Sequence, residues 1–493
     1  MEKVNEEVQE EKEVVRKSEL DFTKGNLFLK IVKFVLPLML TTIFQLLYTT
    51  IDLWTVSKFG GGSLSMAAVG SNGSLINLIV TVLVSLSTGA NVCISVAKGA
   101  QDKEKAERIL HTAFIIAFFG GIIFGVLGYF LAPQMLKLMD TPDSIITKAT
   151  TYLRIYFLGC PVMVTFNFGS QMLRALGDSK RPLYFLIISG LVNVLFDLFF
   201  VIKLHMDVAG VAIATIISQI VSAVLVIWWF HYNKRGFVNF RFKKLKFHKQ
   251  EFFDILKIGL PAGLQGLAFS FPNVLIQSSL YTIDSEVMNG IIVSQDELIS
   301  GSSAAGQIEG YIFAMIDSFA VGCVSVTGQN YGAKNTANMR KGFLYSLSWM
   351  SIFWAFCALI ATLFGRELLQ IFITDSQEIE LENAILAGEK RLLLLAYTYL
   401  FNGAMDLCGC YLRGMKKATL PAILTVIGCT GTRILFLFTL FRLDYFHNIT
   451  WLYAAYPISW ILVDIVYVFL IPYEERKIFK SLQSNILNEK GTL

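Results

Sequence analysis

Of 493 residues, 54% are apolar and 16% are charged, whereas an ordinary soluble chain carries about 25% charged residues. That balance excludes a soluble globular enzyme and a disordered segment, and leaves an integral membrane protein. The net charge of +5 comes from basic residues spread through the connections between apolar stretches, where membrane topology accounts for them, so no nucleic-acid partner is expected.

The first 25 residues, MEKVNEEVQEEKEVVRKSELDFTKG, are charged and lack the apolar core of a cleavable signal. Residues 1–25 therefore read as a mobile cytoplasmic tail. Apolar stretches of about 20 residues or more follow, each long enough as a helix to cross roughly 30 Å of hydrocarbon. Twelve are expected, centred near Thr42, Val80, Gly120, Val162, Ser189, Ile217, Val274, Phe319, Phe353, Leu400, Cys429 and Trp460. Their continuous apolarity, without short alternating segments, predicts an all-α membrane protein and argues against a β-barrel.

Lys and Arg placement sets the orientation. Lys98, Lys103, Lys105 and Arg108 follow the second span, Arg174, Lys180 and Arg181 the fourth, and NKRGFVNFRFKKLKFHKQ the sixth. Lys334, Arg340 and Lys341, then Arg413, Lys416 and Lys417, continue the pattern. The opposite connections are poorer, with Lys58 alone after the first span and no Lys or Arg from Leu280 to Gln307. The connection after the ninth span departs in part, holding Arg366, Lys390 and Arg391 at its edges. Both termini are thus expected in the cytoplasm of a multi-pass plasma-membrane protein.

The chain repeats itself. SLSTGANVCISVAKGAQDKEKAERI from Ser85 lies over SFAVGCVSVTGQNYGAKNTANMRKG from Ser318, which matches Gly89 to Gly322 and Gly99-Ala100 to Gly332-Ala333. Further on, Arg174 and Pro182 match Arg413 and Pro421, and Pro37 matches Pro261. The second half carries a short insertion, assigned to DSEVMNGIIVSQDELISGS outside the membrane. Six spans in each half make a parallel repeat about an axis along the membrane normal, an arrangement suited to two lobes rocking around a central cavity. The expected organisation is a tail (1–25), an N-lobe (26–231), a basic cytoplasmic linker (232–251), a C-lobe (252–473) and a cytoplasmic C-terminal tail (474–493).

Pro37 with Ile51-Asp52, the AAVG at Ala67, the Gly99-Ala100 loop, the LRALGDSKRP turn at Leu173 and the ISGLVNVLFD helix resemble the MATE (multidrug and toxic compound extrusion) family. The resemblance covers nearly all of residues 26 to 473. It implies a twelve-helix, two-lobe antiporter that exports amphiphilic organic compounds, driven by inward H+ or Na+, without a cofactor. A monomer in membrane lipid is expected.

Asp52, in the first span, poses the sharpest question, because a carboxylate in lipid is costly unless it faces a cavity or a partner. Asn193 and Asp197 lie four apart and so share one helix face, and Thr215 in the sixth span adds a hydroxyl. These hard oxygens suit a small cation, and two close carboxylates suit a shared proton equally well. In the DinF-like branch of the family, positions matching Asp52, Asn193, Asp197 and Thr215 form the N-lobe cation or proton site. The alternative is that both Asp residues cap helices at the membrane edge.

The C-lobe fits NorM-like members less well. The seventh span lacks a carboxylate before Asp284, and Asn402 stands where those members carry an Asp in the tenth, with Asp406 one turn on. Arg433 is expected to form a structural ion pair with Asp317, with Asp406 or Asp464 as other partners. Gln45, Gln277, Gln307, Asn402 and Asp406 are candidate residues of a substrate cavity. The seven cysteines sit within or beside spans without a CxxC pair, and the five histidines show no metal-ligand spacing. No DDxxD, HExxH, GxSxG or GxxxxGK[ST] motif is present, so neither an enzyme nor ATP-driven transport is expected. A flippase for a lipid-linked saccharide remains the alternative function, and a strongly basic cavity would favour it.

Overall fold

The structure, a computed structural model, describes residues 19–139, 141–233, 236–373 and 378–491. Eleven helices among them are long and apolar enough to cross a membrane. The expected span centred near Val162 is instead two helices of 16 residues each, Asp143–Leu158 and Cys160–Ala175, which break at Gly159. Pro161 lies in the first turn of the second piece, where its missing N–H costs nothing.

In chain order the helices of the first half are α1 (Leu27–Phe59), α2 (Gly62–Ser71), α3 (Gly73–Gly99), α4 (Lys103–Leu138), α5 (Asp143–Leu158), α6 (Cys160–Ala175), α7 (Lys180–Leu198) and α8 (Asp207–Tyr232). Then come α9 (Lys249–Leu280), strands β1 (Ser285–Met288) and β2 (Ile291–Ser294), α10 (Gln295–Gly332), α11 (Thr336–Phe372), α12 (Glu378–Gly414), α13 (Thr419–Leu424), α14 (Thr432–Phe438) and α15 (Ile449–Gly491). Wide π turns extend α7 through Phe199–Lys203 and join α13 to α14 through Thr425–Gly431. They fall in the spans that correspond between the two halves, and such turns recur at functional sites because they re-aim the side chains beside them.

The chain divides into two compact units. The first runs through Gly263 and takes in Gly328–Asn335, and the second comprises Leu264–Thr327 and the chain from Thr336 onward.

In the first unit, α4 packs on α5 and α6 through a stripe of small residues. A Cβ on Gly125 would meet the Phe157 carbonyl at 2.6 Å, and Gly121 is equally tight against Pro161. Such close backbone approach is the usual way helices associate where lipid removes the hydrophobic drive. The opposite face of α4 turns Phe119, Ile123, Leu127 and Phe130 outward, each more than half exposed, as lipid contact requires. Many of the forty Phe residues serve this outer surface.

The expected mobile tail is corrected in part. Residues 1–18 lie outside the described residues, but residues 19–25 are ordered on the first unit. Phe22 is fully buried against Phe34, with ring centroids 5.1 Å apart. The linker is likewise docked at its start. Phe240 N–H donates to Phe230 O at 2.8 Å, Arg241 N–H donates to His111 Nε2 at 3.2 Å, and the Phe240 and His111 rings stack. His111 is therefore a buried anchor for the linker, and the exposed stretch begins only at Arg241.

The second unit has its own core at one end, where Leu280, Val293, Leu298, Leu452 and Tyr453 meet. The inserted segment forms a two-residue hairpin with Ser285 opposite Ser294 and Met288 opposite Ile291. Asn289 and Gly290 both have positive φ, 50° and 83°, the conformation of a type I′ turn that Asn-Gly favours. Glu286 ties this hairpin down, accepting from Lys390 Nζ and from Ile449 N–H, each at 2.8 Å. The segment 474–482 is a continuation of α15 rather than a free tail. Glu475 accepts from the Tyr411 hydroxyl at 2.6 Å, and Ile478 and Leu482 are buried.

Candidate functional site

Within the first unit the four residues singled out in the sequence come together. Asp52 is in the last third of α1, Asn193 and Asp197 are on one face of α7, and Thr215 is on α8. Their exposures are 5%, 0%, 0% and 6%, so the cluster is interior. Neither carboxylate is placed to cap a helix N-terminus: Asp52 lies in the last third of α1, and Asp197 lies inside a helix that π turns continue to Lys203.

The surroundings of Asn193 are acceptors, so its amide nitrogen faces them. It donates to Asp52 Oδ1 at 2.9 Å and to Asp197 Oδ2 at 3.2 Å. Thr215 Oγ1 lies 3.5 Å from Asp52 Oδ2, and its firmer bond goes to Val211 O at 2.9 Å. The two carboxyl groups therefore meet on one amide, and Asp197 Oδ1 is buried without a donor. Ionised carboxylates only accept hydrogen bonds. Two of them buried around one amide therefore need a proton or a cation to offset their charge.

The donor set fits either species. A proton leaves the Asn193 amide as it stands, donating to both acids. A Na+ ion is served by the carboxylates and the threonine hydroxyl, and an amide turned by half a rotation would add its carbonyl oxygen.

Sequence reasoning missed the hydroxyl layer around this cluster. Tyr48 lies one turn before Asp52 on α1, and its hydroxyl is 2.7 Å from Ser218 Oγ, which in turn donates to Thr215 O at 2.8 Å. Tyr48 and Tyr152 both lie within the electrostatic reach of Asp52 and Asp197. The four-residue spacing of Tyr48 and Asp52 was the available signal.

In the second unit, Arg433 is 0% exposed, yet its described contacts differ from the expected ion pair with Asp317. It donates to Asn273 Oδ1 at 2.7 Å and to Ser459 Oγ at 2.9 Å, and lies over the Tyr456, Phe269 and Trp460 rings at 4.6, 5.0 and 5.7 Å. A delocalised guanidinium is weakly hydrated and stacks on ring faces, so rings and neutral acceptors hold it here while its Nη2 stays buried without a hydrogen-bond partner. Asp406 lies in the field of Asp317, Arg413 and Arg433, and Asp464 nearby has both carboxyl oxygens buried without donors.

Asn402 is buried with its Oδ1 unmatched, whereas Gln45, Gln277 and Gln307 are exposed and join neither cluster. A buried pair that the sequence did not point to sits on α10 and α12. Arg391 grips Glu309 through two bonds of 2.8 Å and donates to Ser302 Oγ at 2.7 Å, and Tyr453 closes the group on Ser302. Every charged atom there finds a partner, which marks the group as structural.

The MatE family model matches residues 37–199 and 270–439. The chain is 30% identical over 385 residues to the probable multidrug resistance protein YpnP of Bacillus subtilis (strain 168), covering 78% of this chain and 81% of YpnP. It is 24% identical over 417 residues to the multidrug export protein MepA of Staphylococcus aureus (strain MRSA252), covering 82% and 86%. Among solved structures, a MOP superfamily transporter from Pyrococcus furiosus superimposes with a TM-score of 0.81 at 21% identity, over 94% of this chain and 98% of that one. An outward-facing MATE family transporter superimposes with a TM-score of 0.79 over the same shares. With the family match spanning both halves, the chain belongs to the MATE (MatE) family of multi-pass membrane transporters.

Proposed function

We propose that this chain is a secondary active antiporter that exports amphiphilic organic molecules across the plasma membrane in exchange for inward H+ or Na+. Asp52 and Asp197, bridged by Asn193 and flanked by Thr215, are the coupling site. The observation that carries this reading is the burial of two carboxylates, on α1 and α7, around the one Asn193 amide that donates to both. Such a pair has a strong affinity for one positive charge and releases it once water or substrate reaches the site. The relatives' names, a probable multidrug resistance protein and a multidrug export protein, support a small-molecule substrate.

The lobes correspond to residues 26–231 and 252–473, joined by the linker 232–251, with both termini cytoplasmic. The acidic pair in the first half, with no carboxylate in the seventh span before Asp284, supports a place nearer the DinF-like branch than the NorM-like members. ATP is not the energy source in this reading, and the working unit is a monomer.

The test is efflux from proteoliposomes under separately imposed Na+ and proton gradients, across cationic, neutral and anionic dyes. Efflux should follow one of the two gradients. Efflux that persists with both collapsed would overturn the antiport reading.

A further inference from the structure

The ordered residues ahead of α1 make contacts out of proportion to their length. Leu20 N–H donates to Gly177 O at 3.0 Å, Phe22 N–H donates to Gln329 Oε1 at 3.1 Å, and Asn330 Nδ2 donates to Phe22 O at 3.1 Å. Glu19 pairs with Lys98 at 3.7 Å, and Lys98 also donates to Leu176 O. The segment is shaped by its own turn, in which Asp21 Oδ1 accepts from Thr23 N–H at 2.9 Å and from Thr23 Oγ1 at 2.6 Å. Lys30 Nζ closes the turn on Asp21 O and Lys24 O at 2.7 and 2.6 Å.

These contacts converge on a particular stretch. Residues 328–335 pack in the first unit, while the rest of α10 belongs to the second. They are held there by Gln329 Nε2 donating to Ala175 O at 2.9 Å and by the close approach of Gly99 and Gly332. Phe22 adds both of its backbone groups to Gln329 and Asn330, and its ring is buried against Phe34 of α1.

We infer that residues 19–23 form a strap that fastens the end of α10 to the first unit and must come away for that end to leave. The inference rests on the two-lobe antiporter proposed above, with its lobes moving relative to one another during export. Four features make the strap releasable. It is a short stretch of bend and turn outside any helix, it carries one buried apolar side chain, and its other named contacts are polar. It also forms one wall of an open polar cleft of about 490 Å3 that includes Lys98, Gln101, Lys103 and Phe237. Peeling it off therefore uncovers little apolar surface and leaves the helices intact.

Hydrogen–deuterium exchange on the purified full chain tests this. Two variants are compared with it: a chain that begins at Lys24 after an initiator Met, and Leu20→Pro, which removes the donor to Gly177 O without touching the core. Exchange at residues 328–335 and 96–101 should be on the order of tenfold faster in both, because the net value of the lost hydrogen bonds is of that size. Exchange across 48–56 and 190–200 should stay as it was. Unchanged exchange at 328–335 in both variants would overturn the strap, and so would a loss of protection throughout both, since the segment would then be core. If only the truncated chain opens throughout, Leu20→Pro decides by the same comparison. The readout does not depend on transport, so it separates from a failure of the coupling reading: Asp197→Asn should leave the protection of 328–335 intact.

Discussion

Gly99 and Gly332 stand at matching places in the two sequence repeats, and in the first unit they face each other. A Cβ on Gly99 would fall on Gln329 O, and one on Gly332 would fall on Val96 O. The approach is reciprocal, backbone on backbone, with no flexible side chain to give way. Gly332→Val should therefore force the two stretches apart, with a stability cost of about 1–3 kcal/mol typical of overpacking. Differential scanning fluorimetry in detergent should show a lowered Tm, and deuterium uptake should rise at 96–101. A variant with wild-type Tm and uptake would show that the contact is looser than described.

The Arg391–Glu309 pair gives a second prediction. Glu309→Gln leaves a guanidinium in a buried site without its counter-charge, and breaking such a pair costs about 3–5 kcal/mol. Arg391→Met combined with Glu309→Leu removes both charges and should recover most of the lost stability. The comparison is made by thermal unfolding of the three variants. If the double variant is as damaged as the single, the pair does more than neutralise itself.

Orientation can be read by labelling. Ser302 is an unsuitable probe site, because it is 1% exposed and bonded to Arg391 and Tyr453. Ile292 on the hairpin is 70% exposed, and Lys243 in the linker is exposed as well. In a chain free of other reactive thiols, Ile292→Cys should react with a membrane-impermeant maleimide on intact cells, and Lys243→Cys only after lysis. Reaction of both on intact cells would refute the assigned topology.

What could be read from the sequence follows the range of the forces involved. Helix existence came from local apolarity, and every expected span centre falls in or beside a helix. The break at Gly159 did not, because apolar residues on both sides hid a Gly-Cys-Pro step that acts through packing against α8 at Gly159 and against α4 at Cys160 and Pro161. The hairpin was legible and overlooked: Asn289-Gly290 between two apolar pairs is a strong short-range turn signal. The neutral partners of Arg433 were beyond reach, since Asn273 and Ser459 are brought to it only by the tertiary fold. Docking of residues 19–23 was hidden for a similar reason, as the segment is locally polar and gains its order from residues more than 300 positions away.

The acidic cluster proposed as the coupling site was the most legible as a cluster, because intramembrane carboxylates are rare and one helical turn set Asn193 beside Asp197. Its central claim is that Asp52 and Asp197 hold one positive charge between them and release it in each cycle. Asp197→Asn keeps the side chain's shape and one carbonyl oxygen but removes the charge. Residues that act as one unit are not additive, so Asp52→Asn should match it and the double substitution should be little worse. Asp406→Asn should have a smaller effect. The most direct measurement is gradient-driven dye efflux by Asp197→Asn in proteoliposomes, with protein amount and Tm matched to the unaltered chain. The account predicts that imposing a gradient adds nothing to the passive leak, and full gradient-driven efflux by this variant would contradict it.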